Sequence, residues 1–271
     1  MHITCRTVAI IIIALAALAP SVALAEPVTL HYTSRWAGLP AGEIEIRLDD
    51  RPDSYRSQIA IWTAGLPRWF TRFRGTAISE GGLSPLGMAA PGRYDATYDL
   101  RSRKGKRVSM RYRQDGGETV AERGPEDSSE KFLLEPAQRT GVVDPLAALS
   151  RMREAVRNGL ARRGGFIIPV FDGKRRFDVE ERSLTAETHR IAGAERHVLH
   201  LDLMLHPIAG FKDNDPEGNP DDSSRALDVY FSDDDALIPL RLEVKIAWLT
   251  TVVEYDGRCD QQPSSCKAGF D

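Results

Sequence analysis

DPLAALSRMREAVRNGLARRGGFIIPVFDGKRRFD, residues 144 to 178, decides the fold. It carries the one well-signalled helix of the chain and then turns straight back into strand. Asp144 can accept hydrogen bonds from the free backbone N–H groups of a first turn, and its charge suits the positive end of the helix dipole. Pro145 fits the first helical position, where its missing N–H costs nothing. Leu146, Leu149, Met152, Val156 and Leu160 follow at spacings of three and four, which places them on one face. Arg151, Arg153 and Arg157 fall off that stripe. Asn158-Gly159 or Gly164-Gly165 can end the helix. The spacing predicts a helix over about 144–160 that packs its apolar stripe on a sheet and leaves its arginines in water. An arginine face turned to anionic lipid or a partner is the sharper alternative.

Both flanks of this stretch alternate with period two. Before it, Val28, Leu30 and Tyr32 share a face, and Ile44, Ile46 and Leu48 alternate with Glu43, Glu45 and Arg47. Tyr55, Ile59 and Ile61 follow a turn at 50–52. Tyr94, Ala96, Tyr98 and Leu100 come next, then Val108, Met110 and Tyr112 set against Arg107, Arg111 and Arg113. After it, Phe166 to Phe171 is short and apolar, and Asp172-Gly173 marks a hairpin that leads to Phe177 and Val179. Leu199, Leu201, Leu203 and Leu205 alternate with His200, Asp202 and Met204, and Leu227, Val229 and Phe231 form a further strand. Residues 238–255 hold one long alternation or two paired strands, with Ile238, Leu240, Leu242, Val244, Ile246 and Trp248 on one face. Half-buried antiparallel strands joined by hairpins produce such a pattern. The fold expected is therefore mainly β: a curved antiparallel sheet or open β-barrel wrapped around one principal helix.

Residues 1–25 read as a leader. Arg6 supplies a positive start, Val8 to Ala19 is apolar but too short to span a bilayer, and Ala23-Leu24-Ala25 is a small-x-small cleavage site. The expected product is an exported, periplasmic protein with one β-rich domain over 26–271 and no transmembrane segment. Removing Arg6 takes the 36 basic residues to 35 against 39 acidic ones, a charge of −4. So mild a balance argues against nucleic acid as a partner, because phosphate binding needs a concentrated basic surface. Cys259 and Cys266 are the two cysteines left after processing. In an exported chain they are expected to form a disulfide that clips the C-terminal tail.

The sequence holds no G-x-S-x-G elbow, no H-E-x-x-H and no phosphate loop. His197 and His200, three apart, point to opposite faces of a strand, while His200, Asp202 and His206 share one, where a solvated polar stripe is expected rather than a metal. Asp213, Asp215, Glu217 and Asp221 resemble the opening of a calcium loop, but Ser224 stands where the bidentate glutamate would be, so a solvated acidic loop is expected. Trp62, Leu66, Trp69, Phe70 and Phe73 crowd one segment around Gly65 and Pro67, with Arg68, Arg72 and Arg74 beside them. These aromatics either close the sheet over its core or line an apolar cleft beside the helix, and they are the candidate ligand-binding residues.

Four local patterns, taken in order, span most of the mature chain. They are Gly38-x-x-Ala41-Gly42 after the first strand, Gly75 followed by Gly82-Leu83 and Pro85, Asp144-Pro145-Leu146 at the helix start, and Asp172-Gly173-Lys174-Arg175-Arg176-Phe177 with Pro239-Leu240 near the end. In that order they resemble the exported bacterial family catalogued as domain of unknown function 3108. The resemblance implies a β-rich envelope protein, and it transfers no catalytic residue because the family has no assigned activity. The plan is analogous to that of periplasmic lipoprotein carriers, which fold a curved sheet over a helix. The expected function is non-catalytic: binding of a lipid-like, apolar or amphipathic ligand, or of another envelope protein, without a cofactor. A hydrolase using Asp144, Asp172 and Asp178 is the competing class, and a structural scaffold of the envelope is a third.

Overall fold

The computed structural model describes residues 26–65, 72–84, 87–100, 103–115, 117–127, 134–211, 224–246, 249–261, 266–267 and 270. The expected leader at 1–25 lies outside them. The first seven strands are β1 (Val28–Trp36), β2 (Leu39–Asp50), β3 (Ser54–Thr63), β4 (Arg74–Leu83), β5 (Ala89–Leu100), β6 (Arg103–Asp115) and β7 (Glu118–Arg123). Helix α1 (Pro145–Arg157) follows. Six more strands complete the order: β8 (Ile167–Phe171), β9 (Arg176–Ile191), β10 (Ala194–Ala209), β11 (Arg225–Ser232), β12 (Pro239–Ile246) and β13 (Leu249–Arg258).

All thirteen strands join one antiparallel sheet in the order β7-β6-β5-β4-β3-β2-β1-β13-β12-β11-β10-β9-β8. Each half is a meander, and the two halves meet where the first strand pairs with the last, from Leu30 opposite Arg258 to Trp36 opposite Thr251. The sheet curls into a nearly closed barrel. Its two edges, β7 and β8, are bridged by the short segment that leads into the helix. Thr140 pairs with Val120 of β7 and Val143 with Val170 of β8, and the Gly141 N–H donates to the Thr119 carbonyl at 2.8 Å. Four residues thus cover two strand edges that would otherwise present unpaired backbone groups.

The inner face follows the period-two pattern. Leu199, Leu201 and Leu203 of β10 and Leu227, Val229 and Phe231 of β11 pack with Ala147, Ala148, Met152 and Val156 of α1. Leu30, Tyr32, Ile46 and Leu48 form a neighbouring cluster. The region 238–255 is two paired strands, not one. Its expected common face does not hold: Leu242 and Val244 pack on the main core, whereas Leu240 joins Ile191, Val198 and Tyr230. A register slip between Tyr230 and Phe231 opposite β12 is the cause, since one extra residue flips every side chain beyond it. Ile246 and Trp248 lie outside the residues whose side chains are described.

Helix α1 lies across one end of the barrel. Asp144 caps it, its Oδ1 accepting from the N–H groups of Leu146 at 3.0 Å and Ala147 at 2.9 Å. The helix stops at Arg157, with Asn158 as its C-cap and Gly159 at φ 67°, so the first of the two stop signals ends it. Leu160 falls outside the helix and is exposed. Arg151 and Arg153 are not left in water, whereas Arg157 is exposed. Arg153 is only 6% exposed, donating to the carbonyls of Leu237 at 3.2 Å and Ala236 at 2.9 Å and to Asp50 at 2.8 Å. Arg151 donates to the Ala89 carbonyl and Arg157 to that of Asp235. Two strand-to-strand connections, at 235–237 and at Ala89, therefore hand carbonyls to one helix, which turns Arg151 and Arg153 away from any lipid.

Candidate functional site

At the far end of β3 from the helix, Trp62 sits opposite Glu43 of β2 and Arg74 of β4. Its indole Nε1 donates to Glu43 Oε2 at 3.2 Å. Lys267 Nζ donates to the same carboxylate at 2.8 Å and lies 5.8 Å from the centre of the Trp62 ring, a cation–π contact. The lysine arrives on the C-terminal tail. Cys259 and Cys266 stand with their sulfurs at bonding distance, and just before the bridge the Cys259 N–H donates to the Thr29 carbonyl at 2.9 Å. Beyond it, the Lys267 N–H donates to the fully buried Glu45 carboxylate, and Arg47 donates to the Phe270 carbonyl at 2.8 Å. The tail is thus laid over the outward side of β1, β2 and β3.

Phe73 forms the opposite wall. Its carbonyl accepts from the Thr63 N–H at 3.0 Å, which ties it to the end of β3. Gly75 gives its ring room, since a Cβ there would lie 2.9 Å from the Phe73 ring. Between these elements opens a cleft of about 790 Å³, walled by Trp62, Phe73 and Phe270 and rimmed by Arg72, Arg74 and Lys267. Partial burial pushes the Glu43 carboxyl up, but the Lys267 ammonium, the His31 ring and the Trp62 N–H together hold it below its usual range. Glu43 and Lys267 therefore offset each other. Arg72 and Arg74 are exposed, and neither pairs with a carboxylate among the described residues. Arg72 also sits at φ 42°, a conformation that non-glycine residues seldom adopt.

The cleft is not beside the helix, as the aromatic segment had led us to expect. The helix packs against Tyr55, and Trp62 is seven residues on, about 23 Å along the strand. An odd offset also turns Trp62 to the other face of the sheet. The hollow of the sheet is occupied by the core, so the available concavity is outside it. Of the five aromatic-segment candidates, the structure brings Trp62 and Phe73 to one cleft, while Leu66, Trp69 and Phe70 lie outside the described residues. Glu43, Lys267 and Phe270 were missed. The cysteine pair hinted that the tail is pinned, but nothing local says where.

A second polar group lies inside the barrel at the helix N-terminus. Asp144 is wholly buried. Its Oδ2 accepts from Ser79 at 2.9 Å, and the Ser79 hydroxyl is 2.9 Å from that of Tyr55. Burial pushes the Asp144 carboxyl up to about 6 despite the opposing pull of the Ala147 N–H, Ser79 and the Leu146 N–H. Tyr112 faces this group, and burial together with the nearby Asp144 carboxyl holds its hydroxyl well above its ordinary range. Of the other two carboxylates weighed for hydrolysis, Asp172 Oδ1 accepts from the N–H groups of Lys174 and Arg175, and Asp178 lies 3.6 Å from Arg176. Each has a local structural partner.

His200, Asp202 and His206 do not converge. His200 bonds Asp228 at 2.8 Å and stacks on Tyr230, which His189 covers from its own side, while His206 bonds Glu180 at 2.7 Å. Among the described residues no group of His, Cys, Asp and Glu could hold a metal ion. The calcium candidates Asp213, Asp215, Glu217 and Asp221 lie outside them. No described helix is long and apolar enough to cross a membrane.

No curated protein matches the chain. Among solved structures it is similar to a beta-barrel-like protein of domain of unknown function DUF1849 from Brucella abortus, at 11% identity and TM-score 0.53, covering 86% of this chain and 95% of that one. So low an identity speaks for the fold alone. It is also similar to the lipoprotein LppX of Mycobacterium tuberculosis, at 12% identity over 90% of each chain, with a TM-score of 0.26 that carries no argument. Residues 31–254 match the family described as Protein of unknown function (DUF3108). That span runs from β1 into β13 and takes in the helix, the seam and most of the sheet, and on it the chain belongs to the DUF3108 family.

Proposed function

We propose that this is a non-catalytic envelope protein, exported by the leader at 1–25, that binds an apolar or amphipathic ligand in the cleft between Trp62 and Phe73. The observation that carries the reading is the fixed Trp62 ring. Its N–H is held by Glu43 and its face by Lys267, so an apolar wall is in place before a ligand arrives. The cleft volume of about 790 Å³ falls within the range of small-molecule sites, about 300–1,000 Å³. Export is supported by the leader pattern and by two cysteines at bonding distance, which fits an oxidising compartment such as the periplasm. The hydrolase reading has no supporting observation, because Asp144 and Asp172 already serve backbone N–H groups.

The test replaces Trp62 with alanine and follows both thermal unfolding and binding of a fluorescent fatty-acid probe. The half-buried ring makes few core contacts, so probe affinity is expected to fall by about tenfold, equivalent to about 1.4 kcal/mol, with a smaller loss of stability than a core truncation. A loss of about 3–5 kcal/mol in stability with unchanged probe binding would make Trp62 a core residue and end the reading.

A further inference from the structure

We infer that the ligand of this cleft is a single-chain amphiphile with an anionic head, held by Arg72 and Arg74. The inference rests on the cleft reading above and adds the ligand class. Its basis is the charge arrangement at the rim. Three cations and one carboxylate line the cleft: Arg72, Arg74, Lys267 and Glu43. Glu43 is matched by Lys267 at 2.8 Å, and the indole N–H takes up a further share of that carboxylate. Of the neighbouring acids on this face, Glu45 is fully buried under the tail and bonded to the Lys267 N–H, and Asp99, opposite Arg74 on β5, accepts from the Gly105 N–H at 2.6 Å. The two arginines remain, with no carboxylate partner among the described residues, Arg74 at the start of β4 and Arg72 two residues before it. The rim therefore carries a net charge close to two positive units above an aromatic floor.

Other sheet arginines are matched by acids across the strands. Arg56 bonds Glu80, Arg113 bonds Glu122, and Arg241 bonds both Glu243 and Glu254. Arg72 and Arg74 lack such a match beside the cleft that Trp62, Phe73 and Phe270 wall. Guanidinium groups bind carboxylate and phosphate heads with paired, charge-assisted hydrogen bonds. A neutral head leaves the two charges unmatched, and a cationic head is repelled. Trp62, Phe73 and Phe270 offer the chain an apolar bed, and a cleft of about 790 Å³ suits one hydrocarbon tail better than two.

The experiment titrates the intact oxidised protein with decanoate, decyl phosphate and monodecanoylglycerol, each below its micelle concentration, by calorimetry. Both anions are expected to bind about tenfold tighter than the neutral glyceride, and the tighter anion names the head. The preference should shrink as salt is raised, because exposed charges are screened. In Arg72→Gln/Arg74→Gln the anions should fall to the affinity of the glyceride, while the glyceride itself is unchanged. Both side chains are exposed, so the variant is expected to fold. Equal binding of anion and glyceride by the wild type would overturn the inference and leave an apolar cleft standing. Absence of binding by all three would overturn the cleft reading as well. An anion preference that survives the double substitution would assign the head to other groups and also defeat the inference.

Discussion

Replacing Asp144 with asparagine should make this protein more stable at neutral pH than the native chain, and hardly alter it at pH 4. Asp144 is wholly buried, yet it caps the only α-helix among the described residues. Burial raises its carboxyl from 3.8 to about 6. At 1.36 kcal/mol per pH unit, that displacement corresponds to about 3 kcal/mol. The sign follows from proton counts. Below about pH 4 both folded and unfolded chains hold the proton, and the neutral acid sits in the core without penalty. Between about pH 4 and pH 6 the unfolded chain releases it while the folded chain retains it, so stability declines as pH rises and levels off above the folded value. Asparagine keeps the oxygen that accepts from Leu146 and Ala147, and its amide can donate to Ser79, so the cap survives without a titrating group. Urea unfolding of both proteins between about pH 4 and pH 8 isolates this one residue, because other titrating groups cancel in the difference. The variant should gain about 3 kcal/mol on the native protein across that range. Parallel curves would refute the reasoning and would mean that the helix dipole and three hydrogen bonds offset burial completely. Asp144→Ala serves as the control. It too lacks the titrating group, but it leaves the Leu146 and Ala147 N–H groups without their acceptor in a dry site, so it should lie about 2–4 kcal/mol below the asparagine variant at every pH.

Arg153→Leu should destabilise by about 2–4 kcal/mol in urea unfolding, since it orphans two buried carbonyls and the Asp50 carboxylate, the latter half-relieved by its own exposure; a loss below about 0.5 kcal/mol would show that water takes over those turns. Cys259→Ser/Cys266→Ser should lose at most roughly 2–3 kcal/mol of stability, because so short a loop constrains the unfolded chain little. The same variant should bind the fatty-acid probe more weakly than the native protein, since Lys267 and Phe270 follow the bridge directly. Alkylation of native protein without reductant should label neither cysteine, and two labels in intact mass would rule the bridge out.

The sequence by itself determined what depends on neighbours a few residues apart. Strands at 28–36 or 199–205 announce themselves because a half-buried strand must alternate, and α1 because Asp144-Pro145 satisfies a first turn locally and Asn158-Gly159 ends the last one. The aromatic crowding that includes Trp62 and Phe73 was legible for the same reason. What the tertiary structure alone decided depends on pairings across the chain. A period-two pattern says which residues share a face but not which strand lies alongside, so the pairing of β1 with β13 and the bridging of the barrel seam by 140–143 left no local trace. Arg153 reads as a solvent arginine until its carbonyl partners, more than 80 residues away, are in place. The cleft depends on contacts longer still. Lys267 and Phe270 reach Glu43 and Arg47 across more than 220 residues, and the register of β2 with β3 sets that carboxylate beside Trp62. Local spacing fixes the elements, because their backbone hydrogen bonds and side-chain faces are local; burial of the inner face and completion of edge hydrogen bonds fix their arrangement, and those are satisfied only by distant parts of the chain.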